Sequence, residues 1–317
     1  MVRLRALSDE SGNNYLKEWG VFTVKGRGRM QRMAIIALDG LEPSLITDKT
    51  PNLLQDAHGT VDVDVSPLQT PVIWAAFLTG QKDNGVEMIK FPYDVDEKIS
   101  RVLGSKRVAA INRFSSNLPI STVSYTKHDL MHPTIFDLVE KHVALDIPSY
   151  NEDPVYLEIR RKIAFAIGGQ YPEDDLVREV WDRFHEEYET CMKMLDEDWD
   201  LFMVHFFVTD VIGHLSLDNV DKLTKCYQTM DHKIGTMTRR IEDSVILIVS
   251  DHGMQNGLHT RKGFYSINKP LYLHSPKITD FYEIIRQILF HKGTFSESGE
   301  ADRRLKVLQH LKELGYF

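Results

Sequence analysis

The sequence predicts a doubly wound α/β fold, a mostly parallel sheet with helices on both faces. Three observations carry this. Three short, almost wholly apolar runs of strand length each stop at an aspartate. Two long amphipathic stretches of helical period lie immediately before two of those runs, the rhythm of successive βαβ units. Finally, no repeat, low-complexity tract or Pro/Gly/Ser linker divides the 317 residues, which are enough to bury a sizeable core.

Residues 1–29 are polar and mixed in charge, with Gly26 and Gly28 near their end, and are expected to form a flexible extension. Translation from Met30 or Met33 is an alternative. Residues 30–317 are expected to be a single domain. The first apolar run, Arg32 to Leu38, stops at Asp39-Gly40. Thr60 to Val65 alternates like a strand exposed on one face. In Thr70-Pro71-Val72 the pre-proline bias away from the α region places Thr70 as the N-cap of a short helix that Gly80 closes.

From Asn84 to Pro172 the chain is richer in Pro, Asn and Ser and its periodicity weakens, as expected of a region partly core and partly a small inserted lid. Lys106 to Ile111 and His142 to Pro148 are shorter strand candidates within it. Arg113, Lys127, His128, His132, Arg160, Arg161 and Lys162 fall there too; most are expected to be solvated surface charges, with a role toward a substrate anion as the alternative.

From Glu173 to Asp198, Leu176, Val180, Phe184, Tyr188, Met192 and Leu195 recur at helical spacing. The third run, Leu201 to Val208, leads through Thr209 to Asp210-Val211-Ile212-Gly213-His214. A second long helix is predicted over Val220 to Ile241. It feeds Val245-Ile246-Leu247-Ile248-Val249, five apolar residues of which four are β-branched, which read as a fully buried strand. That run breaks off at Ser250-Asp251-His252-Gly253-Met254, and His259 follows a few residues on. Successive strand side chains point to opposite faces, so Asp251 and His252 share a site only if the chain bends there, which Gly253 permits.

Ligands in open α/β sheets bind beyond the carboxyl ends of the strands. Asp39, Asp210, Asp251, His214, His252 and His259 all fall there, and Asp and His together suit zinc or a similar borderline ion. Three aspartates and three histidines exceed one tetrahedral site and suit two ions about 3.5–4 Å apart, as in enzymes that clamp both oxygens of a displacement. Such pairs serve phosphate esters and peptides. Thr70, at a helix start whose unpaired N–H groups favour an anion, supplies a nucleophile for attack on phosphorus.

These motifs, in this order, resemble the alkaline phosphatase superfamily, and within it the type I phosphodiesterase and nucleotide pyrophosphatase branch. The resemblance rests on Asp39-Gly40, Thr70 nine residues before Thr79-Gly80, Asp210-x-x-Gly213-His214, Ser250-Asp251-His252-Gly253-Met254 and Gly257-Leu258-His259, and spans roughly residues 33–270. It implies an alkaline phosphatase-like fold and two divalent ions, zinc foremost with manganese or iron as alternatives. By resemblance, Asp39, Thr70, Asp251 and His252 would hold one ion, and Asp210, His214 and His259 the other. Thr70 would be the catalytic nucleophile of a hydrolase acting on phosphodiester or pyrophosphate bonds. The alternatives are a phosphomonoesterase or phosphonate hydrolase, and a non-catalytic metal-containing binding protein.

One segment departs from the branch. Where its members carry His-Gly-Ile-x-Gly-Asn, this chain has Asn84-Gly85-Val86-Glu87-Met88-Ile89, so Asn84 or backbone amides are left to contact the phosphate oxygen. Sulfatases begin from Cys/Ser-x-Pro-x-Arg, which Thr70-Pro71-Val72 does not match.

A formal charge of −8 argues against a broad nucleic-acid-binding surface but leaves room for a small phosphate-ester substrate. No stretch approaches the about 20 apolar residues of a membrane span. With no signal-peptide pattern, and with Cys191 and Cys226 expected as core thiols of a reducing compartment, the expected location is cytoplasmic.

Overall fold

The computed structural model describes residues 31–86 and 125–290, except 218, 272 and 274, together with a two-residue antiparallel pair, Leu7–Ser8 with Asn14–Tyr15. The strand expected at Lys106 to Ile111 and the side chain of Arg113 lie outside the described residues.

The elements in chain order are β1 (Met33–Leu38), β2 (Ala57–Asp62), α1 (Thr70–Thr79), β3 (His142–Leu145), α2 (Val155–Ile167), α3 (Glu173–Met194), β4 (Leu201–Phe206), α4 (Val208–Ser216), α5 (Val220–Arg240), β5 (Val245–Val249), β6 (Gly253–Gln255), β7 (Leu258–Thr260), β8 (Lys262–Ile267) and α6 (Phe281–Phe290). Six strands form one sheet in the order β2-β8-β5-β1-β4-β3. The pairs β5–β1, β1–β4 and β4–β3 are parallel, while β8 runs antiparallel to β5 and β2. β6 and β7 form a separate hairpin.

The predicted α/β architecture is present, and the side-chain alternation shows why helices cover both faces. Ala34, Ile36, Leu38, Phe202, Val204, Phe206, Ile246 and Ile248 pack one way, against the apolar stripes of α2 to α5. Met33, Ile35, Ala37, Leu201, Met203, Val245, Leu247 and Val249 pack the other way, against α1 and α6. Strands buried on both faces are continuous apolar runs, which is how β1, β4 and β5 announce themselves in sequence. Since β1, β4 and β5 are parallel neighbours, their carboxyl ends open onto one edge of the sheet. Among the described residues, no helix is long and apolar enough to cross a membrane.

Several boundaries differ from expectation for identifiable reasons. β2 covers Ala57–Asp62 and not Thr60 to Val65; past Asp62 the ladder to β8 keeps the bond from Val63 N to the Arg261 carbonyl, while the Val63 and Val65 carbonyls accept from the Arg261 guanidinium. β3 ends at Leu145 because Asp146 turns to φ 55°. β4 stops at Phe206, so Asp210 and His214 stand on α4, four residues apart on one face. α3 and α5 close at Met194 and Arg240, and each carries its buried free cysteine, Cys191 and Cys226, in the core.

The N-cap of α1 is Gln69, in extended conformation, and Thr70 is the first helical residue. Pro71 sits in the first turn, where a missing N–H has no helical partner to lose, so the helix reaches one residue further back than the pre-proline bias suggests. Gly80 closes it in the left-handed region, at φ 68°.

Candidate metal centre

Asp39 leaves β1 fully buried, and the loop it begins is fastened from several sides. Thr209 Oγ1 donates to the Asp39 carbonyl, Leu41 N donates to Ser250 Oγ at 2.8 Å, and Gly40 N donates to Asp251 Oδ1 at 3.3 Å. From the helical layer, the buried Tyr227 hydroxyl donates to the Gly40 carbonyl at 2.9 Å and accepts from Glu42 N. Gly40 takes φ 71°, and a Cβ there would stand 3.1 Å from Asp210 Cα. A side chain would therefore push the β1 and β4 loops apart.

The ends of β5 and α4 are brought together as tightly. Ser250 Oγ donates to the His252 carbonyl at 2.7 Å, and a Cβ on Gly213 would meet Met254 Cγ at 2.6 Å. Glycine in Asp210-x-x-Gly213-His214 thus lets α4 pack against β6 and carry its two polar side chains inward.

All seven expected ligand residues converge. His252 Nε2 lies 3.1 Å from Asp39 Oδ1 and 3.5 Å from Asp251 Oδ2. Thr70 Oγ1 lies 3.4 Å from Asp39 Oδ1. Alongside, Asp210 Oδ1 lies 3.2 Å from His259 Nε2 and 3.3 Å from His214 Nε2, and those two nitrogens are 3.0 Å apart. The two groups adjoin: His252 stacks on His259 with ring centroids 3.7 Å apart, and its Nε2 is 3.8 Å from Asp210 Oδ1. Asp39, Asp251 and His252 offer one compact ligand set, and Asp210, His252 and His259 a second.

Two observations test whether these residues suit cations. Each histidine directs Nδ1 to a main-chain carbonyl, His214 to Gly257, His252 to Gly253 and His259 to Leu68. Nδ1–H donation there leaves the Nε2 lone pair facing the cluster, the tautomer of a metal-ligating imidazole. In addition, Asp39 Oδ2, Asp210 Oδ1, Asp251 Oδ2 and His252 Nε2 are buried without a well-aligned hydrogen bond among the described residues. Buried carboxylates in that condition are costly unless positive charge meets them.

The electrostatics show the same frustration. Burial opposes the Asp39 charge, yet hydrogen bonding from His205 and His252 holds it well below the usual carboxylate range. Burial and then the Asp39 charge push Asp251 well above that range. Burial alone would lower His252, but Asp251, Asp39 and Asp210 lift it to about 10. Burial pushes His214 down. Three carboxylates cannot all ionise here without protons or cations to share, and the geometry fits divalent cations.

Asn84 has a different setting. It is buried, Nδ2 donates to the Gln81 carbonyl, and Oδ1 accepts from Val86 N, so both ends of its amide are used within one turn. Four of the basic residues singled out between Asn84 and Pro172 have protein partners. Arg160 forms a buried ion pair with Glu152, Lys162 pairs with Glu179 at 2.6 Å, Arg161 lies 3.5 Å from Glu158, and His132 Nε2 contacts the Asp83 carbonyl.

Sequence reasoning passed over His205. It sits one residue before the carboxyl end of β4, opposite Ala37 of β1, 1% exposed, with Nε2 3.4 Å from Asp39 Oδ2. An imidazole inside an otherwise wholly apolar strand is the signal that marks it.

The family model described as type I phosphodiesterase / nucleotide pyrophosphatase matches residues 33–274. GPI ethanolamine phosphate transferase 3 of Schizosaccharomyces pombe is 37% identical over 90 residues, 27% of this chain and 10% of that protein, so the chain spans about a tenth of that relative's length. The alkaline phosphatase of the Antarctic bacterium TAB5 has a TM-score of 0.46 at 9% identity, covering 82% of this chain and 99% of that one. The lipoteichoic acid synthase LtaP of Listeria monocytogenes has a TM-score of 0.42 at 11% identity, covering 82% of this chain and 72% of its own.

Proposed function

The chain belongs to the type I phosphodiesterase / nucleotide pyrophosphatase family, a phosphoesterase-type enzyme by that membership, and from this premise we propose that it hydrolyses phosphodiester or pyrophosphate bonds with Thr70 as nucleophile and two divalent ions. The observation that carries the proposal is the approach of Thr70 Oγ1 to Asp39 Oδ1 at the mouth of the Asp/His cluster.

Asp39, Thr70, Asp251 and His252 would hold one ion, and Asp210, His214 and His259 the other, with zinc the ion the donor set suits best. When bound, the ions supply positive charge that favours the ionised Thr70 hydroxyl and neutralises charge on the phosphate and leaving oxygen. The rest falls to the chain. Thr70 Oγ attacks phosphorus in line and gives up its proton to water by way of Asp39 Oδ1, while the bond from phosphorus to the leaving oxygen breaks. That oxygen takes a proton from water and departs, leaving a phosphothreonine. The first-turn amides of α1, at the positive end of the helix, hold a phosphate oxygen. Water then attacks the phosphothreonine and restores the Thr70 hydroxyl.

A second reading has a specific observation behind it. The 90-residue similarity to a phosphoethanolamine transferase favours transfer of the covalently held group to an acceptor hydroxyl instead of water. A small phosphate ester is the substrate in either case, and a cytoplasmic setting is part of the proposal.

The test is a panel of chromogenic phosphate mono- and diesters with added zinc, manganese or magnesium, with and without an alcohol acceptor. Turnover of bis-p-nitrophenyl phosphate well above the monoester supports the diesterase. Faster monoester cleavage favours a phosphomonoesterase, and product partition into the alcohol favours transfer. No turnover with any ion points to a non-catalytic binding protein.

A further inference from the structure

Asp39 has two carboxylate oxygens with different neighbours. Oδ1 faces the cluster, 3.4 Å from Thr70 Oγ1 and 3.1 Å from His252 Nε2. Oδ2 turns back into the sheet, where His205 Nε2 stands 3.4 Å away. Asp39 Oδ2 and both ring nitrogens of His205 have no well-aligned hydrogen bond among the described residues, and this 3.4 Å approach is the closest polar contact recorded between them. A fully buried imidazole with no other polar partner would be a pure cost in a strand that could carry valine, so its neighbour defines its use.

The ring is also held from the far side. Trp74 lies one helical turn beyond Thr70 on α1 and meets the His205 ring edge-to-face, centroids 5.4 Å apart at 80°. Trp74 packs in the same manner on Phe77, 5.2 Å away. The helix that carries the nucleophile therefore abuts the side chain that abuts Asp39. Parallel pairing of β1 and β4 with Ala37 opposite His205 sets this register.

We propose that His205 is a positioning residue: by holding Asp39 Oδ2, and being itself wedged by Trp74, it fixes the carboxylate so that Oδ1 faces the cation site and Thr70. The role rests on the cation reading above. It assigns Nε2–H donation to Asp39 Oδ2, leaving Nδ1 bare, opposite to the tautomer of the three cluster histidines.

His205→Phe keeps the ring packing on Trp74 and removes the donor, while His205→Gln places an N–H near the Nε2 position. The apo-protein is titrated with zinc against a competing chelator, with folding followed by circular dichroism. Loss of an outer partner of a ligand costs about 10–100-fold in metal affinity, so His205→Phe should weaken zinc binding at the site that Asp39 serves by about tenfold or more, and His205→Gln should recover most of that. A long-range proton–nitrogen correlation on the wild-type protein should show His205 Nε2 protonated and Nδ1 bare. The role is overturned if folded His205→Phe binds zinc as tightly as wild type, if folded His205→Gln is as weak as His205→Phe, or if the wild-type tautomer is reversed. Should His205→Phe fail to fold, His205→Gln and the tautomer decide. Wild-type protein that takes up no divalent ion would sink the cation reading itself, and this role with it.

Discussion

The Thr70 hydroxyl lies 3.4 Å from Asp39 Oδ1, joining the start of a short helix to the end of a central strand. Among the described residues Thr70 Oγ1 makes no other hydrogen bond, and Thr70 caps nothing, since the cap position belongs to Gln69. Thr70→Ala should therefore leave the fold intact, with a stability change within about 1 kcal/mol, while losing at least about a thousandfold in turnover if Thr70 is the attacking group. Thr70→Ser should retain part of the activity. Turnover on bis-p-nitrophenyl phosphate together with metal content by elemental analysis checks this, and a folded Thr70→Ala variant with a tenth of wild-type activity would exclude the covalent route.

Asp251→Ala should behave differently. Asp251 is fully buried, accepts from Gly40 N and sits 3.5 Å from His252 Nε2, so its loss removes a charge partner of the ion as well as a tie between the β1 and β5 loops. Bound metal and turnover should fall together, by about 10-fold or more in affinity. Isothermal titration of the apo-protein measures the first, and metal content unchanged from wild type would remove Asp251 from the ligand set.

Chelation should lower thermal stability. Without cations the cluster keeps three buried carboxylates in mutual repulsion, and a ligand bound only by the folded state stabilises by about 2.7 kcal/mol at a hundredfold excess over its dissociation constant. Melting curves with EDTA and after adding back zinc should differ reversibly. Superimposable curves would show that no ion is bound.

Gly253→Ala should destabilise the protein by about 1–3 kcal/mol through overpacking. The added Cβ would stand 2.5 Å from the Lys262 carbonyl and from Thr260 Oγ1, and 2.8 Å from Glu42 Oε2. Because Gly253 follows His252, the strain should also weaken metal binding. Urea unfolding followed by fluorescence gives the cost, and an unchanged midpoint would show that the loop relaxes freely.

Away from the site, Glu187 on α3 is pushed up from 4.5 to about 9 by burial, then by Asp146 and Asp153. Its neighbour Arg183, 2.8 Å away, also faces Asp153 at 2.7 Å and Asp146 at 3.9 Å, so one guanidinium serves several carboxylates. A carboxyl raised in the folded state keeps its proton there while the unfolded chain gives it up. The stability it contributes is complete below about 4.5 and is lost as pH rises toward 9, with a slope of up to about 1.4 kcal/mol per pH unit. Glu187→Gln should flatten that slope. Denaturant midpoints at pH 6 and 8.5 for both proteins test the sign.

By itself the sequence determined the three central strands, the long helices and the seven residues that meet at their ends. These follow from local rules: a strand buried on both faces must be continuously apolar, and a polar residue that ends such a run falls at the sheet's open edge. Asp39, Asp210 and Asp251 were legible because each interrupts a pattern within its own segment. Only the tertiary structure decided what depends on two segments at once. The order β2-β8-β5-β1-β4-β3 is not a local property, and it alone sets Ala37 against His205 and so places an imidazole behind Asp39. Gln69 in place of Thr70 as the cap was settled by backbone conformation that side-chain type does not reveal. Periodicity reports which face a residue takes, whereas partnership across a sheet depends on register, and register is fixed only when all the strands pack together.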